Sequence, residues 1–147
     1  MKAVIQRVKS SSVSVDGKLI NKIDKGFNIL LGINVNDTHE DLDYLVRKIL
    51  NLRIFDDENG VMNKSIQDVN GEILSISQFT LQASTKDGNR PSYINAMRGE
   101  EAIKLYDEFN AKLNETIKAY PGVFGADMEV NIVNDGPVTI IIDSQNK

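Results

Sequence analysis

Hydrophobic residues along this chain recur at two periods, and the order of those periods restricts the fold more than any other feature. The first third has strand periodicity. Residues 3–8 and the alternating Ser12-Val13-Ser14-Val15 are expected strands, and Asp16-Gly17 is the tight turn of a hairpin. Residues 27–33 form the more continuous apolar run of a central strand buried on both faces. The period then lengthens. Leu42, Leu45, Val46, Ile49 and Leu52 share one helical face, with Asp37 and Glu40 as the expected capping pair and Asp43 four residues before Arg47. Arg53-Ile54-Phe55 is a short extended segment closed by the polar turn Asp56-Asp57-Glu58-Asn59-Gly60, and residues 71–77 return to a strand. The clearest helix carries the stripe Ala102, Leu105, Tyr106, Phe109, Leu113 and Ile117. Glu100 and Glu101 lie in its first turn, Lys118 in its last, and Pro121-Gly122 stops it. Residues 128–133 and 138–142 are two closing strands. This order predicts an α+β fold: one domain over residues 1–147, with a largely antiparallel or mixed β-sheet, or a barrel-like one, and two main helices.

Composition narrows the chemistry. The chain has no cysteine, which excludes disulfides, a cysteine nucleophile and cysteine-ligated metal sites. Its one histidine, His39, sits among polar residues at a helix start and is expected to be an exposed first-turn residue rather than the base of a Ser-His-Asp triad. Hydrolytic chemistry would then fall to carboxylates, hydroxyls, backbone amides or a group on the substrate. No basic stretch followed by an apolar one opens the chain, and no apolar run approaches the ~18–20 residues of a membrane span, so a cytoplasmic protein is the simplest expectation. Net charge is −4, against broad affinity for nucleic acid. Lys86, Arg90 and Arg98, opposed in their segment only by Asp87, make a small basic island that is either an ordinary solvated loop or a place for a phosphate. Arg90 has the guanidinium fork suited to that role.

Two short segments stand out. In Asn134-Asp135-Gly136-Pro137-Val138-Thr139, Asp-Gly between apolar runs is a hairpin signal, yet proline at the head of the final strand removes a ladder donor. A ligand-facing role for Gly136 and Pro137 therefore stays open beside the turn. In Ser77-Gln78-Phe79-Thr80-Leu81 the hydroxyls suit either backbone capping at a strand end or a reactive site. A nucleophilic Thr80 would need an activating base, and the local sequence offers none.

These two segments resemble the signature motifs of the D-aminoacyl-tRNA deacylases. The opening Val4-Ile5-Gln6-Arg7-Val8, Arg53-Ile54-Phe55 with Met62-Asn63, Arg90-Pro91-Ser92, and Phe124-Gly125-Ala126-Asp127-Met128 are similar to that family in the same order, with Tyr93 where the family more often has phenylalanine. The resemblance implies hydrolysis of the ester between a D-amino acid and the terminal adenosine of tRNA. It implies a homodimer in which Gly136-Pro137 of one subunit enters the site of the other as a cis dipeptide, its carbonyls facing the substrate's α-carbon and oriented by Arg7. Ser77, Gln78, Phe79 and Thr80 would form the catalytic surface, with Thr80 either lining it or attacking, and the substrate's 2′-hydroxyl assisting water. By its own chemistry rather than by the resemblance, Arg90 is the candidate to hold a phosphate of the substrate. Aminoacylated tRNA is the implied partner, and no membrane, metal or cofactor is implied.

Overall fold

The computed structural model describes residues 1–147. A long hairpin organises it. Strand β1 (Lys2–Val15) turns at Asp16 and Gly17, whose φ angles of 50° and 76° are the left-handed pair that a two-residue hairpin turn requires. The chain returns along β1 as β2 (Lys18–Ile23) and β3 (Gly26–Gly32), from Val15↔Lys18 to Lys2↔Gly32. The two strands expected at residues 3–8 and 12–15 are thus one, because both halves pair with the same returning segment.

After β3 come helix α1 (His39–Asn51), the small ribbon β4 (Phe55–Asp56) and β5 (Met62–Lys64), strand β6 (Glu72–Ser77), helix α2 (Gly99–Asn114), strand β7 (Ala119–Pro121) and the long β8 (Glu129–Asp143). β6 lies parallel to β3 and β7 parallel to β6, and each of these connections crosses over through a helix, as parallel pairing requires. β8 runs antiparallel along the other edge of β1. The main sheet is therefore six-stranded and mixed. It curls until β2 approaches β7, where Asn21 Nδ2 donates to the Pro121 carbonyl at 2.7 Å. The α+β expectation holds, in its nearly closed form.

Each face of the curled sheet buries its own apolar cluster. Ile5, Phe27 and Ile29 meet Leu45, Ile49, Tyr106 and Phe109 of the two helices in a core of 22 residues. Val8, Val13, Ile23, Leu74 and Ile76 fill the inner face. Burying a side chain of this size contributes about 1.5–3 kcal/mol, so the strand and helix faces are fixed by many such terms acting together.

Three local expectations change. The cap of α1 is Thr38 with Asp41: Thr38 Oγ1 accepts the Glu40 N–H at 3.3 Å, and Asp41 Oδ2 accepts the Thr38 N–H at 2.9 Å. Asp37 is buried instead, where its Oδ1 accepts from the Met1 ammonium at 2.6 Å and its Oδ2 from the Asn34 N–H at 2.7 Å. Helix α2 stops before Pro121, because the Asn114 side chain donates to the carbonyls of Asn110 and Ala119 and accepts the Ala119 N–H. The closing hairpin is absent. Residues 129–143 form one strand, and between Gln6↔Thr139 and Ser10↔Val133 four steps on β1 face six on β8. The two surplus residues bulge at the Asp135-Gly136-Pro137 segment, a place where an edge strand tolerates proline.

Candidate active site

Strand β6 is buried from Ile73 to Ile76, then emerges at Ser77 beside the end of β3. The Gln78 N–H extends the ladder to the Leu31 carbonyl at 2.8 Å, after which the chain tightens into a single 3-10 turn, Phe79–Gln82. Gly32 lets this turn sit close: a Cβ there would lie 2.7 Å from Leu81 Cβ and 3.0 Å from the Gln78 carbonyl oxygen. Buried Gln82 pins the far end, donating to the Gly32 carbonyl at 2.9 Å and accepting from Asn34 Nδ2 at 3.1 Å. The motif thereby stands out from a rigid base, with Phe79 56% exposed and in edge-on contact with Tyr93 at 5.1 Å. Thr80 is exposed, and its Oγ1 accepts from Gln78 Nε2 at 2.6 Å.

Ser77, Gln78 and Phe79 border a cavity of about 750 Å³ at the carboxyl ends of the parallel strands β3 and β6. Openings at this end of parallel strands are common ligand sites in α/β sheets. Leu30 and Ile76 form its floor, Gly99 and Ala102 bring in the start of α2, and residues 124–128 make the opposite wall. Phe124 in that wall leans on Tyr106 at 5.7 Å, and Tyr106 is fixed by its hydroxyl, which donates to the buried Ser75 carbonyl at 2.6 Å. Burial pushes the Tyr106 phenol up from its ordinary value, so it stays a neutral donor at physiological pH. Asp127 is the one acidic or basic residue in the lining. His39 is not in the lining; it is 72% exposed on α1 and paired with Glu108 of α2 at 2.7 Å. Nowhere do three metal-ligating side chains converge.

The other expected residues lie elsewhere. Gly136 and Pro137 are exposed, joined by a cis peptide, and Gly136 has φ 129°, which strongly favours glycine. Buried Arg7 braces this bulge. Its Nε donates to the Asp135 carbonyl at 3.2 Å and its Nη1 to the Ile54 carbonyl at 2.6 Å, with the carboxylates of Asp135 and Asp56 at 3.4 and 3.8 Å. Arg7 thus holds the residue before Gly136 rather than the carbonyls of Gly136 and Pro137. It pairs with Phe27 near the start of β3, whereas the cavity opens at Leu31 and Ile33, about 13 Å along the strand at ~3.3 Å per residue. Arg90 is exposed in the loop closed by the Ser84↔Ser92 bridge and lines neither place.

Sequence reasoning did not assign Met97, Ala102, Phe124 or Met128 to the site. The segment Phe124-Gly125-Ala126-Asp127-Met128 was a readable signal as a short aromatic-glycine run between α2 and the last strand, but nothing local shows that it faces Ser77.

Comparisons with known proteins cover nearly the whole chain or all of it. The family model described as D-Tyr-tRNA(Tyr) deacylase matches residues 4–143. A D-aminoacyl-tRNA deacylase from Flavobacterium psychrophilum (strain ATCC 49511 / DSM 21280 / CIP 103535 / JIP02/86) is 58% identical over 149 residues, spanning 100% of this chain and 99% of that protein. A solved structure described as c-Myc DNA Unwinding Element Binding Protein superposes with a TM-score of 0.93 at 48% identity, covering 97% of this chain and 98% of the other. A probable eukaryotic D-amino acid tRNA deacylase shares the fold, with a TM-score of 0.82 at 17% identity over 96% and 97% of the two chains.

Proposed function

The chain belongs to the D-Tyr-tRNA(Tyr) deacylase family and is a hydrolase of D-aminoacyl-tRNA, and from that premise we propose how its residues divide the work. The cavity beside residues 77–79 takes the terminal adenosine, with the ester at its Phe79-Thr80 rim. The observation that carries this reading is the make-up of the cavity: 12 of its 17 lining residues are apolar, the motif residues form one edge, and no histidine is present. Such a site binds a base and ribose and orients an ester, but has little acid–base chemistry of its own.

Catalysis then rests on positioning and on donors for the developing oxyanion. The N–H groups of Phe79 and Thr80, at the head of the 3-10 turn, are the donors placed to meet that oxygen. The 2′-hydroxyl next to the ester assists the attacking water, and the Gln78-bound hydroxyl of Thr80 lines the site. Against a nucleophilic Thr80 stands the hydrogen-bond partner of its oxygen, the Gln78 amide, which donates to it and is not a base.

Chirality is enforced by backbone. In a homodimer, Gly136-Pro137 of the second subunit reaches the ester and its carbonyls crowd the α-carbon. An L side chain would meet fixed backbone, whereas a D side chain points outward and glycine fits with hydrogen on both sides. Two features support a second copy. The exposed Gly136-Pro137 bulge is too far from its own chain's cavity to act there. β8 also pairs on one edge only, leaving the other open with Val133 51% and Ile141 64% exposed.

Incubation with D-tyrosyl-, glycyl- and L-tyrosyl-tRNA at sub-stoichiometric protein tests the reading. Free D-tyrosine and some free glycine are expected, with L-tyrosyl-tRNA spared. Binding without turnover would identify a nucleic-acid-binding module instead, and equal D and L rates or inert glycyl-tRNA would refute backbone exclusion. Light scattering showing an active monomer would refute the shared site.

A further inference from the structure

A second concavity, of about 370 Å³, opens where the 3-10 turn ends, lined by six polar residues and one alanine. Lys2 and Lys86 line it together with Ser84, Thr85, Gln82 and Asn95, and no acidic residue does. Asp87 follows Lys86 in the loop but is outside the lining, and neither lysine has an ion-pair partner. Lys2 Nζ donates to the Leu81 carbonyl at 3.3 Å, one residue beyond Thr80. The walls are held in place. Gln82 is anchored on Gly32 and Asn34, Ser84 and Ser92 exchange both backbone hydrogen bonds at 2.9 Å, and the Asn95 carbonyl accepts the Val35 N–H at 2.8 Å. In a chain of net charge −4, two lysines without ion-pair partners lining one polar groove that holds no acid make a local anion site.

This inference rests on the reading above, in which the terminal adenosine lies in the larger cavity. The RNA strand that carries it must then leave past the turn. We propose that the groove of Lys2 and Lys86 binds the phosphodiester joining the terminal adenosine to the nucleotide before it. The two ammonium groups face the non-bridging oxygens, while the Ser84 and Thr85 hydroxyls and the Asn95 amide donate to the same group. Contacts of this kind set the register of the RNA end and read no base. They hold any tRNA 3′ end alike, and place the ester at Thr80. Arg90, at the loop's exposed end, is outside the groove, so Lys86 rather than Arg90 is the cation of this loop that acts.

The test compares Lys2→Gln, Lys86→Gln and the double variant on D-tyrosyl-tRNA and on D-tyrosyl-adenosine, which has no phosphodiester. The ratio of kcat/KM on tRNA to that on the adenosine ester should fall about tenfold in the double variant, through KM. The slope of log KM against log salt on tRNA should lessen by about 0.7, the value for one phosphate contact to a single strand. Thermal melts report folding; if Lys2→Gln melts early, Lys86→Gln alone decides, with a fall of about threefold expected. An unchanged ratio, or an equal loss on both substrates, overturns the groove. A parent protein inert on both substrates refutes the deacylase reading itself and the groove with it, and shows before any variant is compared.

Discussion

Arg7→Met removes the brace of the Gly136-Pro137 bulge while keeping an apolar side chain of similar length. Arg7 is 8% exposed, and the substitution deletes two hydrogen bonds from a charged donor, to the carbonyls of Ile54 and Asp135. Each such bond is worth about 1.5–3 kcal/mol. The ion pairs add little, because Asp56 is 56% and Asp135 37% exposed and such pairs contribute about 0–1 kcal/mol. Burial of the methionine offsets part of the loss, leaving about 2–5 kcal/mol, within a total stability of ~5–15 kcal/mol. At about 2–4 °C per kcal/mol for a chain of this size, the midpoint should drop by roughly 4–20 °C. Urea denaturation and calorimetry measure that, and rates at low temperature measure function on the surviving fold. If Arg7 positions the bulge, the D-tyrosyl to L-tyrosyl rate ratio should narrow at least tenfold. Arg7→Lys, whose single nitrogen reaches only one of the two carbonyls, should fall between. A stability loss under about 1 kcal/mol, or a full loss with an unchanged D to L ratio, would refute the positioning role.

Asp37→Asn leaves the Met1 ammonium without its counter-charge in a pair whose side chains are 0% exposed, and should cost about 3–5 kcal/mol in urea denaturation; a neutral result would show the pair is dispensable. His39→Ala, outside the cavity lining, should hold kcat within about twofold, and a loss of a hundredfold would reveal a histidine base. Thr80→Ala should lower kcat only partly, about tenfold, whereas a 2′-deoxy terminal ribose should cut the rate far more; the reverse order, with a trapped acyl-Thr80, would establish the hydroxyl as nucleophile.

Local pattern determined much of this protein. A helical stripe such as Ala102, Leu105, Tyr106 and Phe109, or an apolar run such as residues 27–33, has one stable partner geometry, since burying its apolar side selects both element and face. The α+β class followed from the order of those elements, whereas the parallel pairing of β3, β6 and β7 did not. The Asp16-Gly17 turn was equally legible, since its left-handed φ angles are a property of those residues. The segment Ser77-Gln78-Phe79-Thr80-Leu81 was readable as a unit for the same reason: its residues are neighbours in the chain.

Tertiary structure decided whatever depended on a distant partner. Asp37 had the sequence of a helix cap, yet the Met1 ammonium, Ser144 and Gln145 converge around it, and a buried carboxylate goes where its charge is matched. Residues 134–137 had the sequence of a hairpin turn, but β1 offers one edge long enough to pair on both sides of them, so the chain bulged and continued. The partners of Arg7 are 47 and 128 residues away. The wall at residues 124–128 faces Ser77 only because α2 returns the chain across β6. Periodicity is a property of neighbours, and could set each element and its buried face. Cavities and charge pairs are properties of residues that meet only after those faces have been covered.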